Sequence, residues 1–266
     1  MEENPKEKVN LIISCMDRRL NEAIEARAEN TLANSGKRTI VLRNAGGDVD
    51  NLHDSITELL SKYDVEEARV TVHNDCGAMK NIAQIKHNVQ SSDDTHRKQT
   101  AEKYTNTDAE GLCKENLTVQ LNSLQKIVSQ ISPDTKVIVD SLDVLHVPLD
   151  NSKEKKAAII LDSAERSHTN YSELAGIIGT SISNAYFIQC TAKDNLIPDI
   201  GLLPKALGIN DITIFSTEKT NSRASALFED INKQKFASPS LHVTLVELRV
   251  AQPAEQHGVK VKHRSL

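Results

Sequence analysis

The sequence predicts an α/β fold: a mainly parallel β-sheet flanked by helices, laid down twice in tandem so that one chain forms an intrachain pseudo-dimer. Short β-branched runs alternate with longer stretches of helical periodicity, the pattern of strand–helix–strand units. The order of elements in residues 1–150 returns in residues 157–252. Between the two passes lies NSKEKK, residues 151–156, a solvated segment with no apolar side chain that reads as a linker.

Each element follows from its local pattern. Val9 to Ser14 is a first strand, and the helical stretch from Leu20 to Asn34 stops at Gly36, a helix C-terminal cap. Thr39 to Leu42 is the second strand. Leu52, Ile56, Leu59, Leu60 and Tyr63 then recur at helical spacing, and Ala68 to Val72 forms a third strand ending at His73. The polar stretch from Lys86 to Glu115 suits a helix plus an exposed loop. Leu117, Leu121, Leu124, Val128 and Ile131 mark an amphipathic helix that Pro133 terminates, and Lys136 to Leu145 supplies a fourth strand. In the second pass Ala157 to Leu161, Ala185 to Cys190, Asp211 to Phe215 and Leu241 to Val250 read as strands, with Tyr171 to Ile182 helical. Two local matches relate the passes: IISCMDRR at Ile12 with ILDSAERS at Ile160, and RVTVHNDCG at Arg69 with DITIFSTEK at Asp211. Their offsets are 148 and 142 residues (163 − 15 and 215 − 73), the drift a short loop deletion would produce. Residues 253–266 read as a polar, basic tail.

Composition narrows the function classes. Four Tyr, four Phe and no Trp leave no stacking platform for single-stranded nucleic acid, and a net charge of −5 opposes a polyanionic partner. The basic run KVKHR, Lys260 to Arg264, is too short to reverse that. No apolar run approaches the roughly 18–20 residues needed to span a bilayer, and MEENPKEKVN lacks the apolar centre of a signal peptide. The expected location is the cytoplasm, without membrane or nucleic-acid partners. Four cysteines in 266 residues are too few for a disulfide scaffold and, in a reducing compartment, point to metal binding or catalysis.

The chemistry gathers at strand ends. Cys15, Asp17 and Arg19 follow the first strand as C-x-D-x-R, and His73 and Cys76 follow the third as H-x-x-C. Both positions lie at the carboxyl ends of parallel strands, where such sheets place their sites. Two thiolates and an imidazole suit Zn²⁺ and leave a fourth tetrahedral position open, the pattern of catalytic rather than structural zinc. Taken singly, each piece has a plain structural explanation: a buried small hydrophobe for Cys15, an exposed ion pair for Asp17 and Arg19. Their joint occurrence, each directly after a strand, favours the metal.

C-M-D-R-R at Cys15 to Arg19, R-N-A-G-G at Arg43 to Gly47, and H-N-D-C-G-A-M at His73 to Met79 together resemble the signature of the β-class carbonic anhydrases. The helix beginning at Glu115 and the strand KVIVDSLDVLHV extend the resemblance over roughly residues 8–150. It implies one Zn²⁺ per chain on Cys15, His73 and Cys76, with Asp17 and Arg19 as a catalytic dyad: held by the arginine, the aspartate leaves the fourth position to water, and released it can ligate the metal itself. It implies reversible hydration of CO2 to bicarbonate and a proton through a zinc-bound hydroxide. Gly46 and Gly47 allow backbone to approach a substrate pocket, expected at Arg43, Asn44, Ala45, Gly46, Gly47 and Gly77; the alternative for this segment is a tight loop after the second strand with no ligand role. Two thiolates donate more charge than imidazoles would, so activity is expected to rise toward alkaline pH. In the second half Ser163, Glu165, Ser167, Phe215 and Glu218 align with Cys15, Asp17, Arg19, His73 and Cys76, so that half is expected to hold no zinc and to supply the second wall of the single site. Neither Cys113 nor Cys190 falls at a ligand position. Family members are built from dimers, so pseudo-dimeric chains could also pair into homo-oligomers. Hydrolysis of carbon disulfide or carbonyl sulfide, and a zinc-binding scaffold without activity, are the competing functions.

Overall fold

The computed structural model describes residues 5–87, 95–149, 154–161, 164, 170–191, 194–234, 241–248 and 262–264. Among the described residues one nine-stranded sheet forms the frame. The strands are β1 (Lys8–Cys15), β2 (Thr39–Asn44), β3 (Asp64–His73), β4 (Lys136–Leu142), β5 (Lys156–Ile160), β6 (Ala185–Gln189), β7 (Asp211–Ser216), β8 (His242–Glu247) and β9 (Lys262–Arg264). The helices are α1 (Asn21–Ser35), α2 (His53–Lys62), α3 (Gly77–Lys86), α4 (Thr95–Glu102), α5 (Ala109–Ile131), α6 (Tyr171–Ile177), α7 (Ile197–Leu207) and α8 (Asn221–Gln234). The α/β class and the mainly parallel sheet agree with the pattern of the sequence. None of the described helices is long and apolar enough to cross a membrane.

The strand order is β4-β3-β1-β2-β6-β5-β7-β8-β9. Outward from the centre it reads β2-β1-β3-β4 on one side and β6-β5-β7-β8 on the other, every pair parallel. The two sets meet where β2 runs antiparallel to β6, at Arg43 opposite Gln189. Beside that junction β1 and β2 pair residues 29 apart (39 − 10), and β5 and β6 also pair residues 29 apart (185 − 156). From β1 to β3 the partners are 57 apart (68 − 11), and from β5 to β7 they are 55 apart (212 − 157). The halves thus drift by two residues between these strands, where the sequence alignment required six. Side chains in a strand alternate faces with period two, so a short apolar run slides by two or four residues without changing which face it buries. The alignment of Phe215 with His73 and that of Ser163 with Cys15 therefore cannot both hold. Ser163, Glu165 and Ser167 themselves lie outside the described residues.

Local chemistry sets the element ends. Gly36 caps α1 at φ 68°, as its position predicted. β4 stops at Leu142, short of the expected Leu145, because the Asn74 and Asp143 side chains accept the backbone N–H groups of Val144 and Leu145. α5 starts at Ala109 rather than Glu115, with the Asp108 carboxylate accepting the Gly111 N–H at 2.8 Å. Glu115 instead clamps the preceding turn, accepting the N–H groups of Thr105 and Asn106. α6 ends at Ile177, before the predicted Ile182, and Gly179 turns the chain at φ 72°. Lys156 belongs to β5, so the linker is shorter than predicted, and its residues 151–153 lie outside the described set. Within the predicted tail, Lys262–Arg264 pairs antiparallel with β8, while residues 249–261 lie outside the described set.

Both halves share one apolar core, from Val9, Leu11 and Ile13 of β1 through Leu42 of β2 to Phe187, Ile159 and Ile214. Side chains also staple the halves together. Asn21 donates to the carbonyls of Ile182 and Ala185 at 2.7 and 2.8 Å, and the buried Arg18 donates to the Ser183 carbonyl and the Asn184 amide oxygen.

Candidate metal centre

The carboxyl ends of β1 and β3 are adjacent, and the residues that follow them converge. Cys15 closes β1, His73 closes β3, and Cys76 precedes α3. All three are buried and their ligand atoms lie within 4.8 Å of one another, a group able to hold a metal ion. The two sulfurs are 3.9 Å apart. A tetrahedral ion with metal–sulfur bonds of about 2.3 Å places two thiolates about 3.8 Å apart, so the spacing fits. His73 Nδ1 donates to the Asn74 carbonyl at 2.7 Å, which fixes the tautomer and leaves Nε2 as the ligand atom. That Nε2 is buried with no hydrogen-bond partner, as an atom awaiting a cation would be. The neighbouring Cys76 thiol and burial push the Cys15 thiol well above its ordinary pKa, the His73 charge opposing them. Two thiols with one imidazole suit a borderline-soft divalent metal.

Asp17 and Arg19 form the second layer. Asp17 caps the short 3₁₀ turn Arg18–Leu20, accepting the Arg19 N–H at 3.0 Å. The Arg19 guanidinium grips the same carboxylate through two bonds, Nε to Oδ1 at 3.0 Å and Nη2 to Oδ2 at 2.7 Å. Its other edge holds the Asp75 carboxylate at 2.7 Å and the Asp75 carbonyl at 2.9 Å. Asp75 sits at φ 54°, a left-handed conformation that an aspartate tolerates better than most residues. Burial pushes the Asp17 carboxyl up, but the Arg19 hydrogen bonds and the charges of His73 and Arg19 outweigh it, and the group stays ionised below the usual carboxylate range. Asp17 Oδ2 lies 3.9 Å from His73 Nε2, so the carboxylate faces the metal position.

The expected pocket residues divide. Ala45 and Gly77 line a cleft over Cys15 with Met16, Asp17 and Ala78. Arg43 does not reach it: fully buried, its guanidinium donates to the Cys15 carbonyl at 3.0 and 2.8 Å and to the Asp17 carbonyl at 2.9 Å. Its charge secures the loop that carries two site residues. Asn44 donates to the Asp48 carbonyl at 2.8 Å, and Gly47, at φ 68°, lies against the Ser14 and Cys15 backbone. Gly46, at φ 79°, donates its N–H to Cys15 Sγ at 3.3 Å.

The rest of the cleft comes from the second half. Tyr186 of β6 and Leu202, Ala206 and Leu207 of α7 face Cys15 and Asp17 across a space of about 20 Å³, room for about one water-sized molecule. A larger groove of about 770 Å³ lies beyond Asp75 against α5 and is lined by none of the three candidate ligands. Sequence reasoning missed the four cleft residues, α7 as a whole, and the buried Asp199 upon it. The available signal was Pro198 at a helix start and Gly208 at φ 65° after its end, bracketing an apolar run with one acid. Cys190 accepts a hydrogen bond from Arg223 at 3.0 Å and Cys113 lies on α5, so neither joins the cluster.

Fold and site together define an α/β protein with a Cys–His–Cys centre beside an Asp–Arg pair. No family model matches the chain, and no curated protein matches it either. Among solved structures it is similar to a carbonic anhydrase from Glaciozyma antarctica, at 20% identity and a TM-score of 0.32, over 54% of this chain and 81% of that one. It is also similar to tetrameric β-carbonic anhydrases of Sordaria macrospora, at 15% identity and a TM-score of 0.36, over 53% of this chain and 78% of that one.

Proposed function

We propose that this chain is a β-class carbonic anhydrase, a zinc enzyme that reversibly hydrates CO2 to bicarbonate and a proton. The observation that carries the reading is the convergence of Cys15, Cys76 and an unpartnered His73 Nε2 beside a carboxylate that Arg19 holds on both oxygens. Zinc, when bound, lowers the pKa of water from about 15.7 toward about 7 and makes hydroxide available near neutral pH. Cys15, His73 and Cys76 would hold it. Asp17, kept ionised and aimed by Arg19, would accept a hydrogen bond from water held beside the metal position. Tyr186, Leu202 and Leu207 confine a small, uncharged molecule against that position. The grip of Arg19 keeps Asp17 from ligating the metal itself.

The matching strand orders on either side of the β2–β6 junction support a tandem duplication, with residues 1–150 as the catalytic copy and 157–252 as a copy without metal ligands. On this reading the chain holds one zinc, carries both walls of its cleft, acts on CO2 and bicarbonate in the cytoplasm, and can assemble further into homo-oligomers. Stopped-flow CO2 hydration on protein of measured zinc content tests it. About one zinc per chain is expected, with kcat/KM rising between about pH 6.5 and 9. Zinc-loaded protein without activity at alkaline pH would overturn the assignment.

A further inference from the structure

Three consecutive peptides lead from β2 into the loop over the metal centre, and the middle one carries the Gly46 N–H that donates to Cys15 Sγ at 3.3 Å. The peptides on either side are tied to distant parts of the chain. The Ala45 N–H donates to Asp199 Oδ1 at 3.2 Å, and Asp199 lies on α7 in the second half. The Gly46 carbonyl accepts from Asn116 Nδ2 at 2.9 Å, and Asn116 lies on α5. Both holding side chains are buried and braced in turn. Asn51 and Arg97 donate to Asp199 at 2.7 and 3.4 Å. The Tyr104 hydroxyl and the Gln120 amide donate to Asn116 Oδ1 at 2.6 and 2.9 Å. The backbone at Gly46 favours glycine: φ is 79°, a left-handed conformation strained for other residues, and a Cβ there would lie 3.1 Å from Met79 Cε.

We propose that Asp199 and Asn116 are positioning residues for the metal centre, fixing the Ala45–Gly46 peptide so that its N–H stays on the Cys15 sulfur. The inference rests on the zinc reading above. A hydrogen bond to a thiolate stabilises its negative charge and withdraws electron density from the metal it binds, which leaves the metal a stronger Lewis acid. The second half thus acts on the metal through a peptide rather than through a ligand.

The test uses the full-length chain loaded with Co²⁺, whose thiolate-to-metal charge-transfer band reports the electron density on sulfur. Asn116→Leu and Asp199→Leu should move the band to longer wavelength, weaken metal affinity in chelator competition by about tenfold to a hundredfold, and shift the pH profile of activity to the alkaline side. Asp199→Asn keeps an acceptor oxygen for the Ala45 N–H and should leave the band position and the metal affinity as in wild type. Should the leucine variants not fold, amide exchange in ¹⁵N-labelled, Cd²⁺-loaded wild type decides: the Gly46 N–H should be protected, and exchange at an unprotected rate removes the hydrogen bond on which the proposal stands. Folded leucine variants with unchanged band and affinity would overturn the inference and leave the metal reading intact. A wild-type chain that takes up no metal would overturn both.

Discussion

The carboxyl ends of β3 and β7 occupy corresponding places on either side of the sheet centre, yet they carry different chemistry. β3 ends in His73 with Cys76 three residues on; β7 ends at Ser216, and Thr217 to Thr220 follow without a sulfur or an imidazole. The two frameworks pair their strands alike, because ladder hydrogen bonds and buried apolar faces do not depend on which residue stands one position beyond the strand. Strand-end residues are free of that constraint. One half carries the Cys–His–Cys group and the other provides walls and braces: Tyr186, Leu202, Ala206 and Leu207 line the cleft, and Asp199 ties down the loop above it.

The sharpest way to break this comparison is to remove a ligand from one half and a residue at the corresponding strand end from the other. His73→Ala or Cys76→Ser should abolish stoichiometric zinc and lower CO2 hydration by at least about 10³-fold, while Thr217→Ala leaves both unchanged, as elemental analysis and stopped-flow assays would show. Cutting the chain comes next. Residues 1–150 alone lose the α7 wall and the β6 partner strand, so light scattering should find them aggregated or homodimeric; a fully active monomeric fragment would end the division of labour. A smaller effect is expected from Arg19→Lys, which cannot hold Asp17 through two parallel bonds: zinc content should persist while kcat/KM falls about tenfold to a hundredfold.

The smallest effect concerns stability. Burial, with the nearby Asp48 charge, raises the Asp199 carboxyl from its ordinary 3.8 to about 7, although Arg97 pulls it down. A carboxyl that holds its proton more tightly folded than unfolded makes wild-type stability fall as pH rises from about 4 to about 7. Asp199→Asn carries no titrating proton there and should lack that slope, gaining on the order of 2 kcal/mol relative to wild type between pH 5 and pH 8 in urea unfolding. A parallel pH dependence in both proteins would mean that Asp199 titrates as an ordinary surface carboxylate.

The alternation of strands and helices, the caps at Gly36 and Pro133, and the five residues around the metal position were legible because each belongs to one short contiguous stretch. β1 with Cys15, Asp17 and Arg19 spans a dozen residues, and β3 with His73 and Cys76 only slightly more. Arg43 was misplaced for an instructive reason. Its motif marks an essential position, but not whether the guanidinium faces substrate or, as here, the carbonyls of Cys15 and Asp17. Gly201 and Pro204 interrupt the apolar run of α7, and tertiary packing supplies there what periodicity does not; α3 and α8, by contrast, carry a legible helical spacing in Met79, Ile82 and Ala83 and in Ala224, Leu227, Phe228 and Ile231.

The sequence by itself determined the α/β class, the Cys–His–Cys group and the Asp–Arg pair, since residue type and position after a strand are enough to state that grouping. Only the tertiary structure decided that β2 and β6 join the two halves antiparallel, that Tyr186 and Leu202 close the cleft, and that Asp199 and Asn116 hold the Gly46 peptide against Cys15. Those contacts link residues about 70 to 190 positions apart in the chain, from Gly46–Asn116 to Cys15–Leu202. No local pattern encodes such pairs, because they exist only once a shared core has brought the two halves together.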